Sequence, residues 1–154
     1  MDRGEQAGVA TAAGRAGPRH FSLSAANRAL VLVRRIVTDL VVEYCRFLEL
    51  QEIFELEQAY AEEAPLEDFA RDVADAVRRI REYSDELRDV GVELRDMARG
   101  IVDFPAVIGG RAVCFCWELG QERIEYWHDR GEALAHRRPV AELADLSRAS
   151  AQTG

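Results

Sequence analysis

Four side chains that could bind a metal or transfer a proton lie within one stretch of the sequence: Asp103, Cys114, Cys116 and His128. Thiolates, imidazoles and carboxylates together form binding sites for zinc or iron. A carboxylate beside an imidazole can instead serve as a general acid and base. Either chemistry requires that the fold bring these side chains to one place, so the elements that carry them decide between the alternatives.

Composition excludes several other chemistries. The chain contains no lysine, so Schiff-base catalysis and the phosphate-binding lysine of a P-loop are impossible. It also lacks the H-E-x-x-H motif of zinc proteases and the G-x-S-x-G turn of serine hydrolases. With only His20, His128 and His136 available, a Ser-His-Asp triad also has few candidate bases.

The overall charge bears on the partners. The chain has 28 acidic and 20 basic residues, a net charge of -8, and no clustered basic segment, which argues against nucleic acid and anionic membrane as partners. Its apolar runs are too short and too charged to span a bilayer. Three cysteines, two of them separated by one residue, are typical of reduced thiols. We therefore predict a cytoplasmic protein.

Two series of apolar residues at alternating spacings of four and three predict a long helical hairpin. The first series begins at Ala26, after the potential N-cap residues Ser22 and Ser24, and the second runs from Leu66 to Val90. Pro65 separates them. We expect helices over about 24–63 and 65–89, packed like an antiparallel coiled coil. The first helix is apolar on more than one face, so it needs a second partner, and the sheet that follows is the expected one.

From about residue 90 to residue 128 the apolar period changes to two, which predicts an antiparallel β-meander of three or four strands. Gly109-Gly110 and Gly120-Gln121 are typical of two-residue hairpin turns. Apolar spacing after Val140 predicts a short C-terminal helix. The expected fold is thus a single α+β domain over 21–146, between a disordered N-terminal arm (1–20) and a disordered tail (147–154).

The two turns predict a register for the strands. The first turn places Asp103 opposite Cys116, and a tight second turn places Cys116 opposite Glu125. Phe104, Phe115, Trp117, Ile124 and Tyr126 then share an apolar inner face that can cover the helices. The outer face carries Asp103, Pro105, Cys114, Cys116, Glu118, Arg123, Glu125 and Trp127.

In this register His128 lies on the inner face, away from the cysteines. A longer, bulged second loop would instead bring His128 opposite Cys114, at the cost of turning Ile124 and Tyr126 away from the aromatic rings of the inner face. The register with the tight turn is the preferred prediction, and the bulged loop is the alternative.

Several uncommon residues recur in a known order. They are Gly-Ile-Val-Asp-Phe-Pro-Ala at 100–106, Cys116-Trp117, Gly120, Ile124, Tyr126-Trp127-His128-Asp129, Arg137 and Pro139. Over nearly all of residues 21–140 the chain resembles the bacterial family catalogued as domain of unknown function 2203. The pattern of that family retains only the second cysteine, and this chain departs from it at Gln121, in place of a glutamate, and at 133–137, in place of a glycine-containing element. The resemblance supports the fold and implies no reaction.

The preferred functional hypothesis is a noncatalytic module that binds a protein partner or a second copy of itself and needs no cofactor. The outer face of the sheet or the exposed flank of the helices would form the interface, with Pro105, Cys114 and Trp127 as its dry centre. The alternative for these residues is that the C-terminal segment folds back over them as ordinary core.

Two further hypotheses involve chemistry at the outer face. In the first, a metal or thiol redox site, zinc or iron is bound by Cys116 together with Asp103, Cys114 or His128. In the second, a hydrolase-like enzyme, Asp103 or His128 acts as acid or base while Arg137 binds an anion. The sequence favours the noncatalytic module over both, because nothing in it shows that these groups converge.

Overall fold

The computed structural model describes residues 20–60 and 66–145, and it confirms an α+β fold. Two long helices are followed by five antiparallel strands, which neighbour one another in chain order. The predicted disordered arm (except His20), the tail and the proline turn at 63–65 lie outside the described residues. The elements are α1 (Leu23–Tyr60), α2 (Leu66–Val90), β1 (Glu93–Asp96), β2 (Ile101–Ile108), β3 (Arg111–Glu118), β4 (Tyr126–Asp129) and β5 (Arg138–Pro139), with short 3-10 helices at Leu134–His136 and Val140–Glu142.

The helices pack as the predicted hairpin. Ser22 caps α1, since its hydroxyl oxygen accepts a hydrogen bond from the backbone N–H of Ala25 at 3.1 Å. Across the hairpin the rings of Phe54 and Phe69 stack with centroids 4.5 Å apart. The Arg79 guanidinium lies 3.1 Å from a carboxylate oxygen of Glu43. These contacts join the far half of α1 to α2, away from the sheet.

The end of α2 corrects the predicted start of the first strand. The N–H of Val92 donates to the carbonyl of Leu87, and the N–H of Gly91 donates to the carbonyl of Arg88. This paired arrangement satisfies the last helical carbonyls and ends the helix. Val90 is therefore the last residue of α2 and not the first of a strand, and β1 begins only at Glu93.

The first half of α1 packs against the inner face of the sheet, as predicted. Gly100, at the turn before β2, marks a close approach between the two layers: a Cβ there would lie 2.9 Å from Val37 Cγ1 and 2.9 Å from Leu119 Cβ. The core residues that α1 contributes are Ala26, Leu30, Val33, Ile36, Val37 and Leu40, and those from the sheet include Val102, Phe104, Val113, Phe115, Trp117 and Trp127.

The register of β2 and β3 is the predicted one. Phe104 lies opposite Phe115, and Asp103 lies opposite Cys116. The turn between them is Gly109-Gly110, with φ of 58° and 77°, a conformation that glycine adopts without a steric penalty. Asp103, Cys114 and Cys116 consequently share the outer face.

The register of β3 and β4 differs from the preferred prediction by one residue. Cys116 lies opposite Tyr126, Phe115 opposite Trp127, and Cys114 opposite His128. Because strand side chains alternate between faces, this shift turns Trp127 inward and Tyr126 and His128 outward. The longer-loop alternative is therefore the correct one for His128.

Contacts with α1 explain the longer loop between β3 and β4. The side chain of Asn27 accepts a hydrogen bond from the N–H of Ile124 at 2.9 Å, and Arg34 donates to the carbonyl of Glu122 at 2.8 Å. Gln121 adds a local contact, its side-chain oxygen accepting from the N–H of Glu118 at 3.1 Å. The loop is thereby held open, and Ile124 is buried in the core without belonging to β4.

No helix in residues 20–60 or 66–145 is sufficiently long and apolar to traverse a bilayer.

Candidate functional site

Three neighbouring strands bring three potential metal ligands together on the outer face. Asp103 comes from β2, Cys114 from β3 and His128 from β4, and their ligand atoms all lie within 4.8 Å of one another. All three residues are buried, with 0%, 2% and 1% of their surface exposed. An aspartate and a histidine are rarely buried to this extent without partners, so the cluster needs a chemical explanation.

The hydrogen bonds of His128 define its orientation. Nδ1 lies 2.8 Å from the carbonyl oxygen of Asp129, and because a carbonyl can only accept, Nδ1 must carry a proton. Nε2 faces Oδ2 of Asp103 at 3.0 Å. Two acceptors cannot face each other at this distance, so the contact requires a proton, on the ring or on the carboxyl group, or a bound cation.

Asp103 has a second basic partner and one atom without a partner. Nε of Arg95 lies 3.3 Å from Oδ2, while Oδ1 is buried and, among the described residues, accepts no hydrogen bond of ordinary geometry. The hydrogen bond to Asp103 raises the pKa of His128 above its ordinary value of 6.5, against the opposing effect of burial. Without a metal, these contacts therefore favour an ion pair between a protonated His128 and the carboxylate of Asp103.

The two buried thiols are held in their protonated form. Burial, and then the negative charge of Asp103, raise the pKa of Cys114 to about 12 and that of Cys116 to about 11. Arg137 partly opposes this at Cys116, where its Nη1 lies 3.9 Å from Sγ. Redox-active cysteines have lowered pKa values, so these thiols do not suit redox chemistry. A bound cation would reverse the balance and yield a thiolate.

Several polar residues around the cluster were not among the sequence candidates. Glu93 and Arg95 extend from β1, and Arg130 bonds to Glu93 at 3.3 Å. Tyr126, predicted to lie on the inner face, also joins this surface, where its ring centroid lies 5.3 Å from the guanidinium carbon of Arg137. Glu93 and Arg95 alternate with apolar residues in the sequence, so the strand period alone could have placed them on the outer face.

The fold brings most of the sequence candidates together. Asp103, Cys114, Cys116, His128 and Arg137 meet at the outer face. Pro105 is also buried and lies opposite Cys114 in the register. Trp127 does not belong to the site, because the register shift turns it into the core, where it is 1% exposed. The predicted place of Trp127 in the dry centre of an interface, beside Pro105 and Cys114, is therefore wrong.

The separations of the three donors can be compared with those around a zinc ion. Neighbouring ligand atoms around a tetrahedral zinc ion are separated by roughly 3.3–3.6 Å, given Zn–N and Zn–O bonds of about 2.0 Å and a Zn–S bond of about 2.3 Å. The separation of 3.0 Å between His128 and Asp103 and the limit of 4.8 Å for the whole group lie on either side of these values. The three atoms would therefore have to shift to surround one ion.

Comparison with curated proteins and with solved structures gave no match. The family described as "Uncharacterized conserved protein (DUF2203)" matches the chain over residues 19–140, which include both helices, all five strands and every residue of the cluster. The chain therefore belongs to this family of uncharacterized conserved proteins.

Proposed function

We propose that this protein binds one divalent transition-metal ion, with zinc as the best chemical match, on the outer face of its sheet. The ligands are a carboxylate oxygen of Asp103, the thiolate of Cys114 and Nε2 of His128. The observation that carries the proposal is the convergence of these three donors, from three strands, within 4.8 Å of one another.

The type of donor selects the metal. A thiolate and an imidazole favour zinc or iron over magnesium and calcium, which prefer oxygen ligands. The carboxylate and the thiolate together would neutralise the charge of a divalent ion. Three protein ligands leave a fourth position for water or another small ligand, as in zinc sites that perform chemistry and unlike closed structural sites.

The neighbours of the ligands are suited to metal binding. The bond from Nδ1 of His128 to the carbonyl of Asp129 leaves Nε2 as the ligand nitrogen, and metal-binding histidines are commonly oriented in this way. Oδ1 of Asp103 is a buried acceptor that a cation would satisfy. Arg95, whose side chain is 35% exposed, can move into solvent and open a path to Asp103.

Metal binding has a proton signature that follows from this arrangement. The pKa of Cys114, raised to about 12, keeps its thiol protonated in the metal-free protein, and the raised pKa of His128 favours the protonated form of its imidazole. A bound metal requires the neutral imidazole and the thiolate. We therefore expect each bound ion to release the proton of Cys114 near pH 7, together with any second ring proton that His128 holds.

The experiment measures metal content and coordination in the full-length protein. Elemental analysis after purification, followed by cobalt substitution, is expected to give one ion per chain and a thiolate-to-cobalt absorption band. Cys114→Ser is expected to lose the band and most of the affinity. Cys116→Ser is the matched control, because it changes a thiol that is also buried but lies outside the three-ligand group.

Two results would overturn the proposal. One is a folded wild-type protein that, after saturation with zinc and with cobalt, retains neither ion. The other is equal loss of the cobalt band in Cys114→Ser and Cys116→Ser, which would show that the three-ligand group is not the binding site. The measurement of proton release separates site-specific binding from weak association with surface carboxylates, which release no protons at neutral pH.

The hypothesis of a hydrolase-like enzyme receives less support. Asp103 and His128 are 0% and 1% exposed, so a substrate could reach them only after the covering residues move. The guanidinium of Arg137 is directed at Cys116 and Tyr126. For these reasons we assign the pair to metal binding.

Protein interaction is a second candidate function, and the observation that favours it lies on α1 instead of the sheet. Val31, Val42 and Ile53 are 80%, 61% and 48% exposed. Apolar side chains aligned along an exposed helix are typical of interaction surfaces. A noncatalytic, self-associating module is consistent with this surface.

A further inference from the structure

A straight stripe of residues runs along the side of α1 that faces away from the core. Eleven residues make about three turns of an α-helix, so residues at this spacing lie at the same angle around the axis. Val31, Val42 and Ile53 have this spacing and are all exposed, whereas the core side of the same segment carries residues such as Val33 and Leu40, both 0% exposed. Val31 and Ile53 are 22 positions apart, which corresponds to about 33 Å along the helix.

The charges along this stripe are distributed unevenly. Between the apolar positions, at nearly the same angle, lie Arg35 towards the N-terminus and Glu49 towards the C-terminus, both exposed. In the described part of the chain, the ion pair between α1 and α2 uses Glu43, and the ion pairs include neither Arg35 nor Glu49. Both charges are thus available to a partner.

We propose that a second copy of this chain packs antiparallel against α1, with the two-fold axis at Val42. Val42 then meets its own counterpart, Arg35 lies opposite Glu49 of the other copy, and Val31 lies opposite Ile53. The symmetry makes every contact occur twice except the one on the axis. The two hairpins together would form a four-helix assembly with the sheets on its outside.

The stripe is complementary to itself, which indicates that the partner packed against it is a second copy of this chain. Residues seven positions before and after Val42 carry opposite charges, and residues eleven positions before and after it are both β-branched and apolar. A different protein as the partner would impose no such relation between the two halves of one helix. A parallel arrangement would place Arg35 against Arg35 and Glu49 against Glu49, which repel.

This inference deepens the second candidate function, on which it rests, and it is independent of the metal site. The stripe faces away from the sheet, whereas the metal ligands lie on the far face of the sheet. Molecular mass and metal content are measured separately, so a failure of one proposal is distinguishable from a failure of the other.

The first experiment is sedimentation of the full-length chain over a range of concentrations. We expect a dimer that dissociates on dilution. Arg35→Glu places like charges opposite each other at two symmetric positions and is expected to weaken the dimer about tenfold, from roughly 0.7 kcal/mol at each position. The double variant Arg35→Glu/Glu49→Arg restores opposite charges and should recover most of the affinity.

The matched control is Arg81→Glu, which makes the same charge change on an exposed position of α2 and should leave the dimer intact. A second test uses Val42→Cys with Cys45→Ser, which places one thiol on the two-fold axis. Oxidation is expected to link two copies through residue 42. Val31→Cys with Cys45→Ser places the two thiols far apart and should not link them.

The inference is overturned if the wild-type chain is monomeric at all concentrations. It is also overturned if a dimer forms but the charge exchange brings no recovery, or if the cysteine at residue 42 links no faster than the cysteine at residue 31. A dimer sensitive to Arg81→Glu and insensitive to Arg35→Glu would assign the interface to α2 and would equally exclude the proposed register.

Discussion

The close approach of α1 to the sheet gives the sharpest test of the fold that positions the site. Gly100 has φ +70, and a Cβ there would lie 2.9 Å from a methyl carbon of Val37 and 2.9 Å from Cβ of Leu119. Gly110 has a similar φ of +77, and nothing lies within 4 Å of the corresponding Cβ. Gly100→Ala and Gly110→Ala therefore share the same kind of backbone strain, but only the first adds a steric clash.

The expected magnitudes follow from these two contributions. The left-handed conformation costs a residue with a Cβ about 1–2 kcal/mol, which is the whole effect expected at Gly110. Overpacking of a well-filled core costs about 1–3 kcal/mol more. We therefore expect Gly100→Ala to lower the free energy of unfolding by about 2–5 kcal/mol, a loss that a domain with about 5–15 kcal/mol of stability can survive.

Equilibrium denaturation by urea, monitored by circular dichroism, measures both variants against the wild type. The slope of the unfolding free energy against urea concentration, the m value, should be the same for all three proteins, because the area exposed on unfolding is the same. If Gly100→Ala were no more destabilising than Gly110→Ala, α1 would not approach the sheet as described. The described packing of α1 against the inner face of the sheet would then be refuted.

Two further predictions concern β4. Trp127→Ala should lower the free energy of unfolding by about 3–5 kcal/mol, the usual loss for a buried large aromatic side chain. Tyr126→Ala should lower it by less than half as much, because Tyr126 is only partly buried on the outer face. Urea denaturation that showed the reverse order would contradict the observed register. The second prediction compares the free energy of unfolding of the wild type with that of His128→Gln, both treated with a chelator. The difference in favour of the wild type should be complete below pH 6.5 and should decline at higher pH. The reason is that the pKa of His128 is raised in the native state, which therefore holds a proton that the unfolded chain releases. Urea denaturation across a series of pH values measures this advantage, and one that stays constant would contradict the buried ion pair.

The helices and the first β-hairpin could be predicted because their signals are local. The apolar period of α2 depends on residues within a few turns of one another, and its amphipathic face points to one partner. The Gly109-Gly110 turn determines the register of β2 and β3 from residues that are adjacent in sequence. The sequence alone therefore predicts that Asp103, Cys114 and Cys116 share one face of the sheet.

The second hairpin could not be predicted in the same way. Gly120-Gln121 looks like a tight turn, but the loop is held open by Asn27 and Arg34, which are 97 and 88 residues away from their partners in the sequence. A local turn motif carries no information about such contacts. The resulting shift of one residue reversed the predicted faces of Trp127 and His128.

The sequence by itself thus determined which reactive side chains are available and the α+β order of the elements. It also determined that three of the four candidate site residues, Asp103, Cys114 and Cys116, lie on the outer face of the sheet. Only the tertiary structure decided that His128 joins Asp103 and Cys114 and that Trp127 leaves them. The physical reason is that strand alternation specifies faces only relative to a starting residue. That starting point for β4 is set by hydrogen bonds from a helix at the other end of the chain.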